Sequence, residues 1–480
     1  MEDLQKAKLI STRAALLTRA AFTARQINVW SEVSANRRIF AAMMTVGALT
    51  CVVKFASTLK EVVVAHQFGV GDALDAFLIA FLLPSVAVNI VAGSFNAALI
   101  PTYIQVREQE GKEAAHKLFS SVMVWSAALL LALSIVMGLA APWALGILGS
   151  GFSAEKLALT NKLFLILLPV LPLSGLFLTW AAVLNAGERF ALVAITPAMT
   201  PLAVMIMISA FGSTWGIYSA AIAMLVGIAI EGFLLAAGLR RQGISPVPRW
   251  HGLSASTKQV MKQYAPMIAA GVLMNGTGLV DQAMAAMLGA GSVSVLNYGN
   301  KMTAAILGIG SIALSTAVLP QFSRMVAACD WSGVRHTLKT YLRLVLMATV
   351  PLALIFVLAS RFLVGLLFER GLFTATDTGH VAPVQSLYMF QLPFYITGML
   401  FVRLLSALKA NYILMLGTCL SFALNIVLDY VLMNWIGVAG IALSTSIVYA
   451  AAFIFLSLSA FSALKKAEAG TLAGLAKSCD

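Results

Sequence analysis

The sequence predicts an all-α polytopic membrane protein, with about twelve transmembrane helices in two six-helix lobes around a central cavity. Three observations carry that expectation. Of the 480 residues, 60% are hydrophobic and 11% charged, and the mean hydropathy is +0.92. Lipid solvates such a chain; water does not. Apolar runs recur along its whole length, each near or above the ~20 residues a helix needs to cross a bilayer. The second half also repeats the first at a constant offset. Phe68-Gly69-Val70-Gly71 matches Leu288-Gly289-Ala290-Gly291, Leu99-Ile100-Pro101 matches Val318-Leu319-Pro320, and Gly146 and Gly151 answer to Gly365 and Gly371. An even number of spans per half makes the repeats parallel, which places a cavity between them near the midplane.

In chain order, residues 1–40 form a basic cytoplasmic segment holding Lys6, Lys8, Arg13, Arg19, Arg25, Arg37 and Arg38. It lacks the apolar core and small-residue cleavage site of a removable signal, and reads as an amphipathic stretch on the inner leaflet. The N-lobe, 41–240, holds spans at 41–64, 74–100, 118–147, 160–184, 190–212 and 215–239. A cytoplasmic linker at 241–262 follows. The C-lobe, 263–463, holds spans at 263–289, 293–320, 341–367, 383–408, 411–433 and 436–462, and a cytoplasmic tail occupies 464–480. Basic residues gather in the first segment, around the linker (Arg240, Arg241, Arg249, Lys258, Lys262) and after the eighth span (Arg324, Arg335, Lys339). Both termini are therefore expected in the cytoplasm. The loops on the other side are short and offer little charge beyond Lys156 and Arg370. The net charge of +13 thus follows topology and does not describe a nucleic-acid face. The four cysteines have no paired spacing, so neither a disulfide framework nor a zinc site is expected.

Charges inside the spans mark the working part, because an intramembrane ion is costly unless it faces protein or a watery cavity. On the first span Lys54, Ser57, Thr58 and Glu61 share a face, with Lys60 about 120° around the helix from Lys54. Two lysines exceed what Glu61 neutralises. That suits a cavity that receives an anion; a Lys–Glu pair pinning two helices is the alternative. Asp75 opens the second span as a cavity or gating acid, or as a charge complementing the helix dipole. Lys301, in the eighth span, lies too deep to snorkel easily and is expected to face the same cavity. Asn425 and Asp429 share a face of the eleventh span, with Asp281 on the seventh and Thr445 on the twelfth. Oxygen ligands from three helices suit a hard monovalent cation, or a carboxylate that takes a proton; a hydrogen-bonded polar cluster is the alternative.

These residues point to a transporter. A cation-coupled drug exporter of the same build would want an acidic or aromatic cavity. A membrane glycosyltransferase or ligase would want a large outer loop with catalytic carboxylates or histidines, which the spacing of the spans does not leave room for.

The run Phe68-Gly-Val-Gly-Asp-Ala-Leu-Asp75-Ala-Phe77, with Leu83-Pro84 and Leu99-Ile-Pro101, resembles the first two helices of the MurJ/MviN family of lipid II flippases. That family sits in the multidrug/oligosaccharidyl-lipid/polysaccharide exporter superfamily. Leu279-Val-Asp281, Gly291-Ser-Val-Ser-Val-Leu-Asn-Tyr298 on to Lys301, Val318-Leu-Pro320 and Gly371-Leu-Phe373-Thr374 carry the same resemblance, which runs from about residue 41 to 460. It implies a bacterial inner-membrane flippase, not an enzyme. The expected substrate is a polyprenyl-diphosphate-linked saccharide, lipid II or an exopolysaccharide repeat unit, moved to the outer leaflet by alternating access. Expected partners are that substrate and membrane lipids, with no nucleic acid, and the expected assembly is a monomer.

The resemblance puts Lys54 and Lys60 at two first-helix arginine positions and Lys301 at the eighth-helix one, where they would hold the diphosphate. Lysine keeps the charge but loses the bidentate fork. Glu61 and Asp75 stand at acidic positions. The family's second-helix basic position falls at Val88 or Asn89, a departure that leans toward the exopolysaccharide unit. Its sodium site maps to Asp281, Asn425, Asp429 and Thr445, with a backbone carbonyl near Ile441. No covalent cofactor is implied, and coupling to sodium or a proton is. Many members carry two further C-terminal helices beyond the twelve spans counted here.

Overall fold

The computed structural model describes residues 44–252 and 255–477, so the basic segment 1–40 lies outside the described residues. In the first half, α1 (44–68) is followed by α2 (Asp72–Ala87), which passes through a π turn at Val88–Ala92 into α3 (Gly93–Gln109). Next come α4 (Lys112–Leu148), the broken rod of α5 (Ala154–Leu167) and α6 (Val170–Ala186), and a second broken rod of α7 (Phe190–Ile195) and α8 (Met199–Trp215). The half closes with α9 (Tyr218–Arg241). The second half holds α10 (Ala255–Ala286), α11 (Ser292–Ala327), α12 (Trp331–Leu358) with the short α13 (Ser360–Phe368), and the broken rod of α14 (Ala375–Met389) and α15 (Gln391–Ala407). It ends with α16 (Asn411–Ile436) and α17 (Val438–Lys477).

Counted as rods, these helices match the twelve expected spans. Among the described residues nine rods are long and apolar enough to cross a membrane by composition. The other three, α1, α10 and α11, are those that carry Lys54, Lys60, Glu61, Asp281 and Lys301. Large apolar side chains such as Phe233 and Leu358, 73% and 79% exposed, face outward where lipid would meet them. Several rods overrun their hydropathy windows: the third begins at Lys112 rather than 118, and the last runs to Lys477 rather than 462. Hydropathy measures the hydrocarbon layer, whereas i→i−4 bonding continues until something stops it. An Arg335–Glu468 ion pair ties the α17 extension back to α12.

The breaks have local causes. Proline lacks the N–H that an interior helical position donates and crowds the carbonyl four residues back. Pro84 precedes the π turn, Pro169 separates α5 from α6, Pro197 sits in the 3₁₀ turn between α7 and α8, and Pro393 follows the α14–α15 break at Phe390. The internal repeat is also written into the backbone. Gly216 and Gly437, which turn α8 into α9 and α16 into α17, share φ/ψ near 53/−140° and 62/−140°, a region closed to residues with a Cβ. Glu188 and Lys409, at equivalent turns, both take a positive φ, 61° and 58°, which is rare outside glycine.

Within the first half α8 packs on α9, α6 on α4 and α9, and α2 on α5; within the second, α17 packs on α15 and α16, and α11 on α14 and α15. Helix contacts between the halves include α10 against α3 and α4, and α11 against α2. That leaves a central space bounded by α1, α2, α8 and α9 on one side and α10 and α11 on the other.

Candidate functional site

A cavity of about 470 Å³ occupies that space. Buried Ala56, Val64 and Ala65 fix the rotation of α1. Ser57, Lys60, Glu61 and Val64, spaced i, i+3, i+4 and i+7, consequently line the cavity. Glu61 Oε1 receives two ammonium groups, Lys60 Nζ at 2.7 Å and Lys301 Nζ, from α11 in the other half, at 2.9 Å. The carboxylate therefore bridges the halves, and its side chain is only 15% exposed. One positive charge remains in excess, held next to a low-dielectric wall where attraction for an anion is stronger than in water. The expected polar stripe is rotated: Lys60 lies on the cavity face, whereas Lys54 is exposed and does not line it. Thr58, also expected on the stripe, is exposed and donates to the Lys54 carbonyl at 3.0 Å.

Asp75 does not line the cavity either. It is fully buried at the end of the bundle that carries the 69–71 and 289–291 turns, the expected outer end. Its Oδ1 accepts from Ser294 N at 2.8 Å and Ser294 Oγ at 2.5 Å, and its Oδ2 from Gly291 N at 2.7 Å. An acid at the start of α2 thereby caps the N-terminus of α11 and joins the two halves. Lys156 of α5, a loop charge by hydropathy, is buried beside it. Its Nζ lies 2.8 Å from Asp75 and 2.6 Å from Asp72, and 3.9 Å from the Phe152 ring centroid. Two glycine loops close the same end. Gly371 packs on the last turn of α1, where a Cβ would strike the His66 carbonyl, and Leu372 N donates to that carbonyl at 2.9 Å. Gly151, its repeat equivalent, packs likewise on the Ala286 carbonyl at the end of α10.

Of the third constellation, Asp281, Asn425 and Asp429 meet. Asn425 Nδ2 donates to Asp281 Oδ1 at 3.1 Å, and Asp429 is buried beside them. Thr445 Oγ1 donates to the Ile441 carbonyl at 3.1 Å, one turn back on α17. Both carboxylate oxygens of Asp429, the Asn425 amide oxygen and the Ser444 hydroxyl are buried without a well-aligned hydrogen bond, although Asp281, Asn425 and Ser444 stand close enough to Asp429 to interact with it. Orphaned acceptors of this kind, in a set of two carboxylates, an amide and hydroxyls, fit a hard alkali cation. Among the described residues no group of three or more His, Cys, Asp or Glu gathers to hold a metal ion, and this cluster has two carboxylates.

Some of the site escaped the sequence. Lys156 follows a glycine turn and carries no pattern that reveals burial. One face of α2 lines the cavity, including Phe77 and Phe81, and Gln282, Asn297 and Tyr298 line the opposite wall. The i, i+4 aromatic spacing of α2 was available as a signal. Val88 and Asn89, where a basic residue was sought, lie in the π turn and not on the cavity wall.

The chain matches the family profile described as "Lipid II flippase MurJ" over residues 64–478. A "Probable lipid II flippase MurJ" of Rhizobium meliloti (strain 1021) is 27% identical over 412 residues, covering 83% of this chain and 76% of that one. A structure of "Lipid II flippase MurJ, inward closed conformation" superposes with a TM-score of 0.75 at 23% identity, covering 90% of this chain and 91% of that one. An inward-facing multidrug resistance MATE family transporter of the MOP superfamily superposes at 0.74 with 13% identity, covering 88% of this chain and 98% of that one.

Proposed function

We propose that this chain, which belongs to the lipid II flippase MurJ family, uses its Lys60–Glu61–Lys301 cavity to carry the diphosphate of a lipid-linked saccharide across the membrane. The protein is a lipid-linked-saccharide flippase, a transporter and not an enzyme, and a multi-pass protein of the bacterial inner membrane. The observation that carries the site assignment is the shared carboxylate. Glu61 holds one lysine from each half on a single oxygen. A diphosphate, with more charge and more acceptor oxygens, can displace it and bridge the same two ammonium groups. Lys54, exposed on the same helix, would attract the headgroup on its way in.

The arrangement of seams supports alternating access. With both termini in the cytoplasm, the Asp75–α11 contact and the two glycine loops seal the outer end, and the cavity faces inward. Rocking of a six-helix N-lobe, 41–240, against a C-lobe, 263–463, would break that seal and present the headgroup outside, the prenyl tail remaining in lipid. Asp281, Asn425, Asp429 and Thr445, with the Ile441 carbonyl, would hold a sodium ion. A bound cation supplies the charge that lets two buried carboxylates stay ionised side by side. A proton on the same pair is the other coupling. The assembly is proposed to be a monomer among membrane lipids.

Two lysines and no basic residue at Val88 or Asn89 leave fewer cavity charges than the family pattern implies. The substrate is lipid II or an exopolysaccharide repeat unit. Mass spectrometry of polyprenyl-diphosphate saccharides in depleted cells, combined with a leaflet assay, separates them. Lipid II retained on the inner leaflet with lysis assigns cell-wall synthesis. A different lipid-linked glycan retained in viable cells assigns an exopolysaccharide pathway. Unchanged pools overturn the reading.

A further inference from the structure

The cavity has a second pole that the diphosphate does not use. Along α2, Leu74, Phe77, Leu78, Phe81, Leu82 and Ser85 recur at i, i+3, i+4, i+7, i+8 and i+11, so one face of that helix lines the cavity for three turns. Phe77 and Phe81 present their rings there nearly parallel, centroids 6.3 Å apart and planes 9° from each other. Neither ring is fully buried, so the pair forms an apolar aromatic shelf on the cavity wall. The opposite wall is polar. Gln282 Oε1 and the Tyr298 hydroxyl are both buried and have no hydrogen-bond partner, although both residues line the cavity. Tyr298 is 2% exposed, and its ring packs against Phe368 and Phe373 at 5.1 and 5.3 Å, which holds the phenol oxygen in place.

A buried polar atom left unpaired costs about 1–3 kcal/mol, a cost that an occupant with matching groups removes. The occupant must then satisfy two unlike walls. A prenyl chain suits the shelf but leaves Gln282 and Tyr298 unpaired. An inorganic anion suits the lysines and leaves the shelf bare. A sugar ring fits both, because one face of a pyranose is a patch of C–H groups and its rim is hydroxyls that both donate and accept. The volume, about 470 Å³, lies in the range of small-ligand sites.

We propose that Phe77 and Phe81 form a stacking platform for the sugar attached to the diphosphate, with Gln282 and Tyr298 hydrogen-bonding its hydroxyl rim. This rests on the flippase reading and adds a sugar-recognition subsite to it. The lysines then grip a group common to every polyprenyl-diphosphate carrier, and the platform distinguishes a loaded carrier from a bare one. Recycling carrier without its saccharide would bind through the cation pole alone.

The test compares three probes on the purified full chain in nanodiscs: undecaprenyl diphosphate, lipid II and undecaprenyl-diphosphate-linked hexose. The unsubstituted protein is expected to bind a sugar-bearing probe more tightly than the bare diphosphate. F77L/F81L, which keeps apolar bulk and removes the flat faces, should lose about tenfold for the sugar-bearing probe and under about twofold for the bare one. Phe81→Trp should retain the preference, which separates a platform from mere packing. Equal affinity of the unsubstituted protein for bare and sugar-bearing probes overturns the platform alone. So does a Leu double variant that weakens both probes alike or neither. Failure of the unsubstituted protein to bind any of the three sinks the flippase reading, and the platform with it.

Discussion

Replacing Asp75 by Asn should unlock the outer end. The carboxylate accepts three hydrogen bonds from α11, from Gly291 N, Ser294 N and Ser294 Oγ, and one from Lys156. An amide can keep an oxygen toward Ser294, but its NH₂ then faces Gly291 N–H and the Lys156 ammonium, donor against donor. Hydrogen bonds to an ion contribute about 1.5–3 kcal/mol and neutral ones about 0.5–1.5, so across the seam the Gly291 bond is lost and the two from Ser294 are weakened, while within the first half the Lys156 bond is lost. The seam loses about 3 kcal/mol, roughly a 150-fold shift toward the open end. Lys156 keeps its 2.6 Å contact with Asp72, which limits the damage within the first half. The assay places a single cysteine at Asn297, on the cavity wall, in a chain with Cys51, Cys329, Cys419 and Cys479 changed to serine. An impermeant maleimide is added from outside. Labelling should accelerate by about two orders of magnitude in Asp75→Asn and by about tenfold in Ser294→Ala, which removes one hydroxyl bond. Unchanged labelling in an Asp75→Asn protein that melts like its parent would refute the latch.

Three further outcomes follow from the geometry. Glu61→Gln removes the anion that competes for Lys60 and Lys301, so inorganic diphosphate should bind about tenfold tighter by calorimetry while turnover falls; weaker binding would show that Glu61 positions the lysines instead. Sodium chloride, compared with choline chloride at equal ionic strength, should raise the melting temperature of the unsubstituted protein, by about 2.7 kcal/mol of stability at a hundredfold excess over Kd. Asp429→Ala should abolish that increment, and a sodium effect that survives the substitution would move the site elsewhere. Gly371→Val forces a β-branched residue to φ 60° and into the His66 carbonyl, a strain of about 1–3 kcal/mol. It should speed maleimide entry like Asp75→Asn, and normal labelling with a normal melting curve would remove the loop from the seal.

Much of the architecture was legible because it depends on short-range rules. The length and spacing of apolar runs, the glycine and proline repeat and the i, i+4 pairing of Asn425 with Asp429 can be read without knowing what touches what. The structure reproduces them down to matched positive-φ turns at Glu188 and Lys409. Helix ends were less legible. They depend on caps and on packing such as Arg335–Glu468, not on hydropathy.

The sequence by itself determined a polytopic helical bundle of repeated halves with a few ions stranded inside it, because hydrocarbon penalises charge wherever the chain later places it. It could not determine which ion faces which. Lys54 and Lys60 are equivalent by composition and differ only in the rotation of α1, which buried Ala56, Val64 and Ala65 set by packing. Lys156 and Asp75 lie far apart in sequence and meet only because α5 packs on α2. The cap that Asp75 places on α11 needs the second half to be docked against the first. Contacts between distant segments are chosen by how helices pack. That is why the seam and the cavity wall belong to the tertiary structure alone.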